Sequence, residues 1–286
     1  MNSKIKDEPL HWSFWHPHQK LWNWQLIATI KRLGFFSPLT RLIIKSIVEL
    51  DTFLLSIRIL LVNKNLNKSG YSPNKSINYF DLGTHKKAEE LNWVVEEVLS
   101  KLPNPYKIFA FEANPDSYNI AINNCNQIDE LKLYNLALVN KIPKSGQIKL
   151  FTCNNGLGDS IYRTELDSFM EVEAKRLSDV IKNENVKLDE SINIIRMNIE
   201  GCEFDVIENL IDNDLIKYFD GFYGMWDDVS KIDIERDRRF RKVLKEANVY
   251  PFPFNGRDMK HKRRKSLINK SLRNSIMGRD NRHNTK

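Results

Sequence analysis

At 286 residues the chain can bury a substantial core, and its length suggests one catalytic-size domain with appendages rather than a small stapled scaffold. The formal charge of +7 invites a nucleic-acid reading until it is located: residues 257–286 hold eleven Lys or Arg against Asp258 and Asp280, a local +9 that leaves −2 on everything before them. The domain itself therefore lacks a basic footprint, and Cys125, Cys153 and Cys202, odd in number and widely spaced, exclude a disulfide framework and a zinc-ligand pattern.

Reduced thiols in a cytosolic compartment are the expectation, with no metal site. Residues 1–25 show no continuous apolar run of the kind a secretory signal needs. They do carry Trp12, Trp15, Trp22 and Trp24 among His11, His16 and His18. Docking of these rings onto the domain is the favoured reading, ahead of contact with a membrane interface and of metal binding. From Leu39 to Val62, apolar residues at Ile43, Ile47, Leu50, Leu54, Ile57 and Leu61 draw one stripe along a helix. Lys45, Glu49, Asp51 and Arg58 interrupt it, and at about 2.5–3.5 kcal/mol per central charge they argue against a membrane span. Packing on the domain, on a second copy, or flat on a membrane remain open. The turn-rich NKNLNKSGYSPNK sets the boundary between an extension over residues 1–70 and a domain over 71–256, followed by a basic tail, 257–286, expected to be disordered.

Within the domain, INYF predicts a buried strand ending at Asp81, and Gly83 a sharp turn after it where a Cβ would obstruct a ligand. Ala88, Leu91, Val95, Val98 and Leu102 predict a helix over Lys86–Lys101, stopped by Pro103. A second strand, Lys107–Phe111, ends at Glu112; Asn114 then caps a helix with Pro115 in its first position. LKLYNLAL (Leu131–Leu138) reads as strand three, GQIKLFTC as a β excursion, and NNGLGDSIY as a polar loop with glycines suited to a hinge. VEAKRLSDVI predicts a short strand and a capped turn, INIIRMN (Ile192–Asn198) strand four, and Glu203–Ile211 its helix. Phe219–Asp228 supplies strand five and Asp233–Ala247 a last helix. This alternation predicts a Rossmann-like, doubly wound α/β domain with a mostly parallel sheet.

A dinucleotide needs three glycines at the first turn, and only Gly83 is present, followed by Thr84, His85 and Lys86. S-adenosylmethionine has no pyrophosphate, so one glycine suffices, and the two oxygens of Glu112 can accept both ribose hydroxyls. Asp81 is expected to hold the ammonium of the methionyl part, while Ala137 and Leu138, near Asn135, wall the adenine.

In order along the chain, FDLGTHK, FEANPDSY, NLALVNK, GQIKLF, GLGDSIY, VEAKRLSDVI and IIRMNIEGCEFDVIENL resemble the motifs of the FkbM-type family of S-adenosylmethionine-dependent methyltransferases. The resemblance spans Ile77 to Asp228 and implies a class I methyltransferase fold, S-adenosylmethionine as cofactor at Asp81, Gly83, Thr84, Glu112, Asn114, Ala137 and Leu138, and transfer of a methyl group to a hydroxyl of a glycan, glycolipid or related small molecule. Three positions depart from that family: its second glycine falls at Lys87, its Lys-x-Asp reads Arg196-x-Asn198, and the acidic residue near the end of strand five is Met225. Glu200 is the first candidate for general base or acceptor-orienting group, His85 the second and Asp227, with Asp228, the third. Two other readings stay open. One is a catalytically degenerate binding protein on the same fold; the weaker is an RNA methyltransferase anchored by the basic tail. The expected location is cytoplasmic, with peripheral membrane contact through the Leu39–Val62 helix or the tail.

Overall fold

The computed structural model describes residues 74–153, 158–166, 168–224, 233–246 and 251–253, together with Asn269, Leu272 and Ile276. The strands are β1 (Ile77–Leu82), β2 (Tyr106–Phe111), β3 (Leu131–Tyr134), β4 (Ala137–Leu138), β5 (Gln147–Phe151), β6 (Phe169–Lys175), β7 (Ile192–Met197), β8 (Gly221–Gly224) and β9 (Pro251–Pro253). Among the described residues the helices are α1 (Glu89–Glu97), α2 (Pro115–Asn124), α3 (Leu177–Asn183), α4 (Glu203–Asp212) and α5 (Ile234–Glu246). Six strands form one sheet in the order β3-β2-β1-β7-β8-β9, every pairing parallel. The doubly wound Rossmann-like architecture expected from the alternation is the one observed.

Alternate residues of each strand face opposite sides of such a sheet, and the two sides have different cores. Phe80, Leu82, Phe109, Phe111, Ile195 and Met197 face one side, where Phe204, Ile207 and Leu210 of α4 and Leu177 and Val180 of α3 cover them. Tyr79, Ile108, Ala110 and Ile194 face the other, under Leu91, Val94 and Val95 of α1. At about 1.5–3 kcal/mol for each fully buried large apolar side chain, these two layers supply the main drive to fold. Leu272 and Ile276, 0% and 3% exposed, belong to the second core. At these two positions the segment read from sequence as a disordered tail is instead buried, because a leucine and an isoleucine four residues apart give even a basic segment an apolar stripe.

Several elements differ from the sequence reading; the capped turn expected within VEAKRLSDVI is the helix α3, whose N-cap Arg176 makes no side-chain cap bond, and the strand before it begins at Phe169. His85 (φ 64°) and Ala88 (φ 47°) are left-handed, so the helix expected from Lys86 begins at Glu89; a 3₁₀ turn over Leu99–Lys101 completes it. Strand three breaks in two. Asn135 donates its side-chain amide to the carbonyls of Glu112 (2.8 Å) and Ala113 (3.1 Å), and the chain leaves the main sheet. It continues as β4 in a three-stranded sheet of order β4-β6-β5, with β4 parallel and β5 antiparallel to β6. The Asn114 cap forms as expected, its Oδ1 accepting from Asp116 N (2.9 Å) and Ser117 N (3.3 Å). On the far side, Arg236 of α5 grips Glu208 of α4 through two bonds of 3.0 and 2.8 Å and lies over the Phe204 ring.

The aromatic cluster and the Leu39–Val62 helix lie outside the described residues, as do Met225, Asp227 and Asp228. Among the described residues no helix is long and apolar enough to cross a membrane.

Candidate active site

Strand β1 lies between β2 and β7, the point at which chain order reverses, and a cavity of about 550 Å³ opens there beyond the carboxyl ends of the strands. Its size is within the roughly 300–1,000 Å³ usual for small-molecule sites. Gly83, Thr84, His85, Glu112, Ala137, Leu138 and Glu200 all line it. Asp81 and Asn114 do not.

The turn after β1 is built by the neighbouring strand ends. Gly83 N and Thr84 N donate to Phe111 O at 2.9 and 3.0 Å, and Gly83 takes φ 85°. A Cβ on Gly83 would sit 2.1 Å from the carbonyl oxygen of Asn198, so the approach of the β7 end by itself requires the glycine, where the sequence suggested a ligand. Asp81, 1% exposed, is sealed beneath this turn. Its Oδ2 accepts from Thr84 Oγ1 at 2.8 Å and its Oδ1 lies 3.2 Å from Arg196 Nη1. Burial pushes the Asp81 carboxyl up, against the opposing pull of Arg196. Asp81, expected to hold a cofactor ammonium, does not line the cavity and has Arg196 as its charged partner.

Glu112 presents the other acidic tip. Oε2 accepts from His85 N at 2.7 Å and Oε1 from Asn114 N at 3.0 Å, which fixes the carboxylate in one orientation. Each oxygen keeps a second lone pair for a hydroxyl donor. Burial raises its pKa, while the two backbone N–H groups pull it down. Beside it, Leu136, Ala137, Leu138, Leu150 and Ile161 give the cavity an apolar wall. Asn114, expected near the cofactor, works through the loop above: its Nδ2 donates to Asp159 Oδ2 at 2.7 Å, and Asp159 Oδ1 accepts from Cys153 N at 2.8 Å.

Glu200 lines the cavity in a left-handed conformation (φ 51°), its carbonyl accepting from Ser160 Oγ at 2.6 Å. Non-glycine residues held this way cost about 1–3 kcal/mol and persist only where their surroundings enforce them. His85 is the second such residue. Its Nδ1 faces Lys87 N at 3.5 Å, and its Nε2 is buried without a hydrogen-bond partner among the described residues. Burial, followed by Lys86 and Lys87, lowers its pKa and favours the neutral ring. Lys87 itself reaches Glu89 at 3.5 Å with both side chains exposed, so it stands at the rim and leaves the space between Asp81 and Glu112 clear.

The residue that sequence reasoning undervalued is Arg196. It was noted only as a departure from the family, yet it lines the cavity at 3% exposure and pairs with Asp81 and with Glu90 (Nε to Oε1, 3.0 Å). The signal was available: a lone charge in the apolar run INIIRM must find a buried partner. Burial works against its charge, but Glu90 and Asp81 more than offset this and raise its pKa.

An all-parallel sheet in this order, with an acidic tip on β2 and a cavity at the strand ends, defines a Rossmann-like domain and is consistent with a methyltransferase fold. A family model described as Methyltransferase FkbM domain matches residues 81–221, so this stretch of the chain carries an FkbM methyltransferase domain. No curated protein and no solved structure matches it.

Proposed function

We propose that the protein binds S-adenosylmethionine in this cavity and methylates a hydroxyl of a glycan, glycolipid or related small molecule. The observation that carries the reading is Glu112, fixed by two backbone N–H groups at the cavity wall beside Ala137 and Leu138. A diol acceptor next to an apolar slot is the requirement of an adenosine. Charge agrees with it: Glu89, Glu90, Glu112, Asp159 and Glu200 line the cavity against Lys86, Lys87 and Arg196, an acidic surplus suited to a cationic donor.

When bound, the donor supplies an electrophilic methyl group on a sulfonium. The chain supplies position and proton transfer. Glu200 takes the proton of the attacking hydroxyl, and its enforced backbone keeps the carboxylate at the cavity wall. His85, a neutral imidazole at the cavity wall, helps to orient the acceptor. The polar rim of Lys86, Lys87 and Glu89 supports a polyhydroxylated acceptor over an apolar one. We place the reaction in the cytosol, at a membrane surface where the acceptor is a glycolipid. The Cys125 thiol, pushed up to about 11 by burial, is unreactive there.

Titration calorimetry with S-adenosylmethionine tests the donor: heat and a thermal shift are expected, both lost in Glu112→Ala. Their absence in the native chain favours the degenerate binding protein instead. With an acceptor in hand, Glu200→Gln should slow turnover by about 10²–10⁴-fold with donor affinity retained.

A further inference from the structure

Arg196 Nε donates to Glu90 Oε1 at 3.0 Å and Nη1 to the Gly83 carbonyl at 2.6 Å, with Asp81 Oδ1 3.2 Å from Nη1. Among the described residues Nη2 has no hydrogen-bond partner, although the side chain is only 4% exposed. Arg196 and Glu90 both line the cavity, and Nη2 is the guanidinium nitrogen with no hydrogen bond to a described residue. A guanidinium N–H beside a carboxylate is the complement of an α-amino acid zwitterion: the ligand carboxylate accepts from Nη2 and the ligand ammonium donates to Glu90. Asp81, Glu90 and Arg196 together carry one surplus negative charge. A zwitterion leaves that surplus unchanged, and one further positive charge on the same ligand cancels it. A sulfonium is such a charge.

We propose that Arg196 and Glu90 form the subsite for the α-amino-acid end of the methyl donor and make its carboxylate a condition of tight binding. The subsite lies under the β1 turn, with Asp81 behind it as the counter-charge that holds Arg196 in place. It assigns the recognition expected of Asp81 to the two residues paired around it. This inference rests on the S-adenosylmethionine reading and specifies how that ligand is oriented, with the ribose on Glu112 and the amino acid on Arg196.

The test is calorimetry on the full chain with three ligands: S-adenosylhomocysteine, its decarboxylated form, and 5′-methylthioadenosine, which lacks the amino-acid group. The native chain should bind the first about 10- to 100-fold more tightly than the second, the worth of one hydrogen bond to a charged group. Arg196→Lys, which keeps the charge but not the Nη2 donor, should bring the two affinities within about threefold, since removing one contact acts on their ratio. A purely structural Arg196 would weaken both ligands equally and leave that ratio unchanged. Equal affinity of the native chain for the carboxylated and decarboxylated forms overturns the subsite while the donor reading stands. No binding of any of the three, 5′-methylthioadenosine included, overturns both.

Discussion

The two faces of the central sheet are built from the same strands and do different work. One is apolar to its tip, with Leu82, Phe111 and Met197 as the last inward residues of β1, β2 and β7. The other starts apolar, at Ile77, Ile108 and Ile192, but its tip carries Asp81 and Arg196 side by side in register. Just below them the hydroxyls of Tyr79 and Tyr223 are hydrogen-bonded to each other. An apolar tip would be at least as stable, since replacing a buried ion pair by well-packed hydrophobes is often neutral or favourable. The charged tip coincides with the end of the sheet at which the cavity opens.

Arg196→Met breaks this comparison most severely. It leaves Asp81 and Glu90 buried without their cation and should cost about 3–5 kcal/mol in chemical denaturation. Adding Asp81→Asn and Glu90→Gln should recover most of that loss while donor binding stays weakened by about 10- to 100-fold, the dissociation that separates the two faces. If stability stays low in the triple variant, the charged tip is a folding element after all. Leu272→Ala is next, at about 2–5 kcal/mol, because it opens a cavity in the second core. A loss below about 0.5 kcal/mol would place Leu272 on the surface.

Glu112 gives a smaller, pH-dependent effect. Its folded pKa is raised, so the folded state binds this proton more tightly than the unfolded chain does; the stability it contributes is present below the unfolded carboxylate range and lost as pH rises through the raised value. Glu112→Gln should flatten this part of the denaturation-versus-pH profile and leave neutral-pH stability unchanged or higher, while donor affinity falls. Glu208 has the opposite sign. Its pKa is lowered, first by Arg236, so its contribution is lost as pH falls through the lowered value, and Glu208→Gln should be the less stable at neutral pH. The smallest effect belongs to Lys87→Ala: an exposed pair with Glu89 is worth about 0–1 kcal/mol, and donor affinity should not change. Tighter binding in that variant would mean that the lysine reaches inward.

Much of the sheet was legible because its strands are apolar runs ended by polar residues: INYF before Asp81, IFAF before Glu112, INIIRM before Asn198. The Asn114–Pro115 helix start was legible from capping chemistry alone. The break at Asn135 was not, since LKLYNLAL reads as one strand and only two carbonyls on a neighbouring turn divert it. At the site, Glu112, Ala137 and Leu138 were legible from strand ends. The burial of Asp81 was hidden because its partner stands 115 residues away on β7, and a charge on a strand does not announce which face it occupies.

That separation also bears on how the chain is made. β1 is the centre of the sheet, and β7 completes one of its edges only after residue 197 is available. Closing so long a segment is entropically costly and parallel pairing is slow, so the first half of the domain leaves the ribosome with an open strand edge and an unneutralised Asp81. During synthesis the nascent chain is thus exposed to aggregation until Arg196 arrives to pair with Asp81 and β7 closes the sheet.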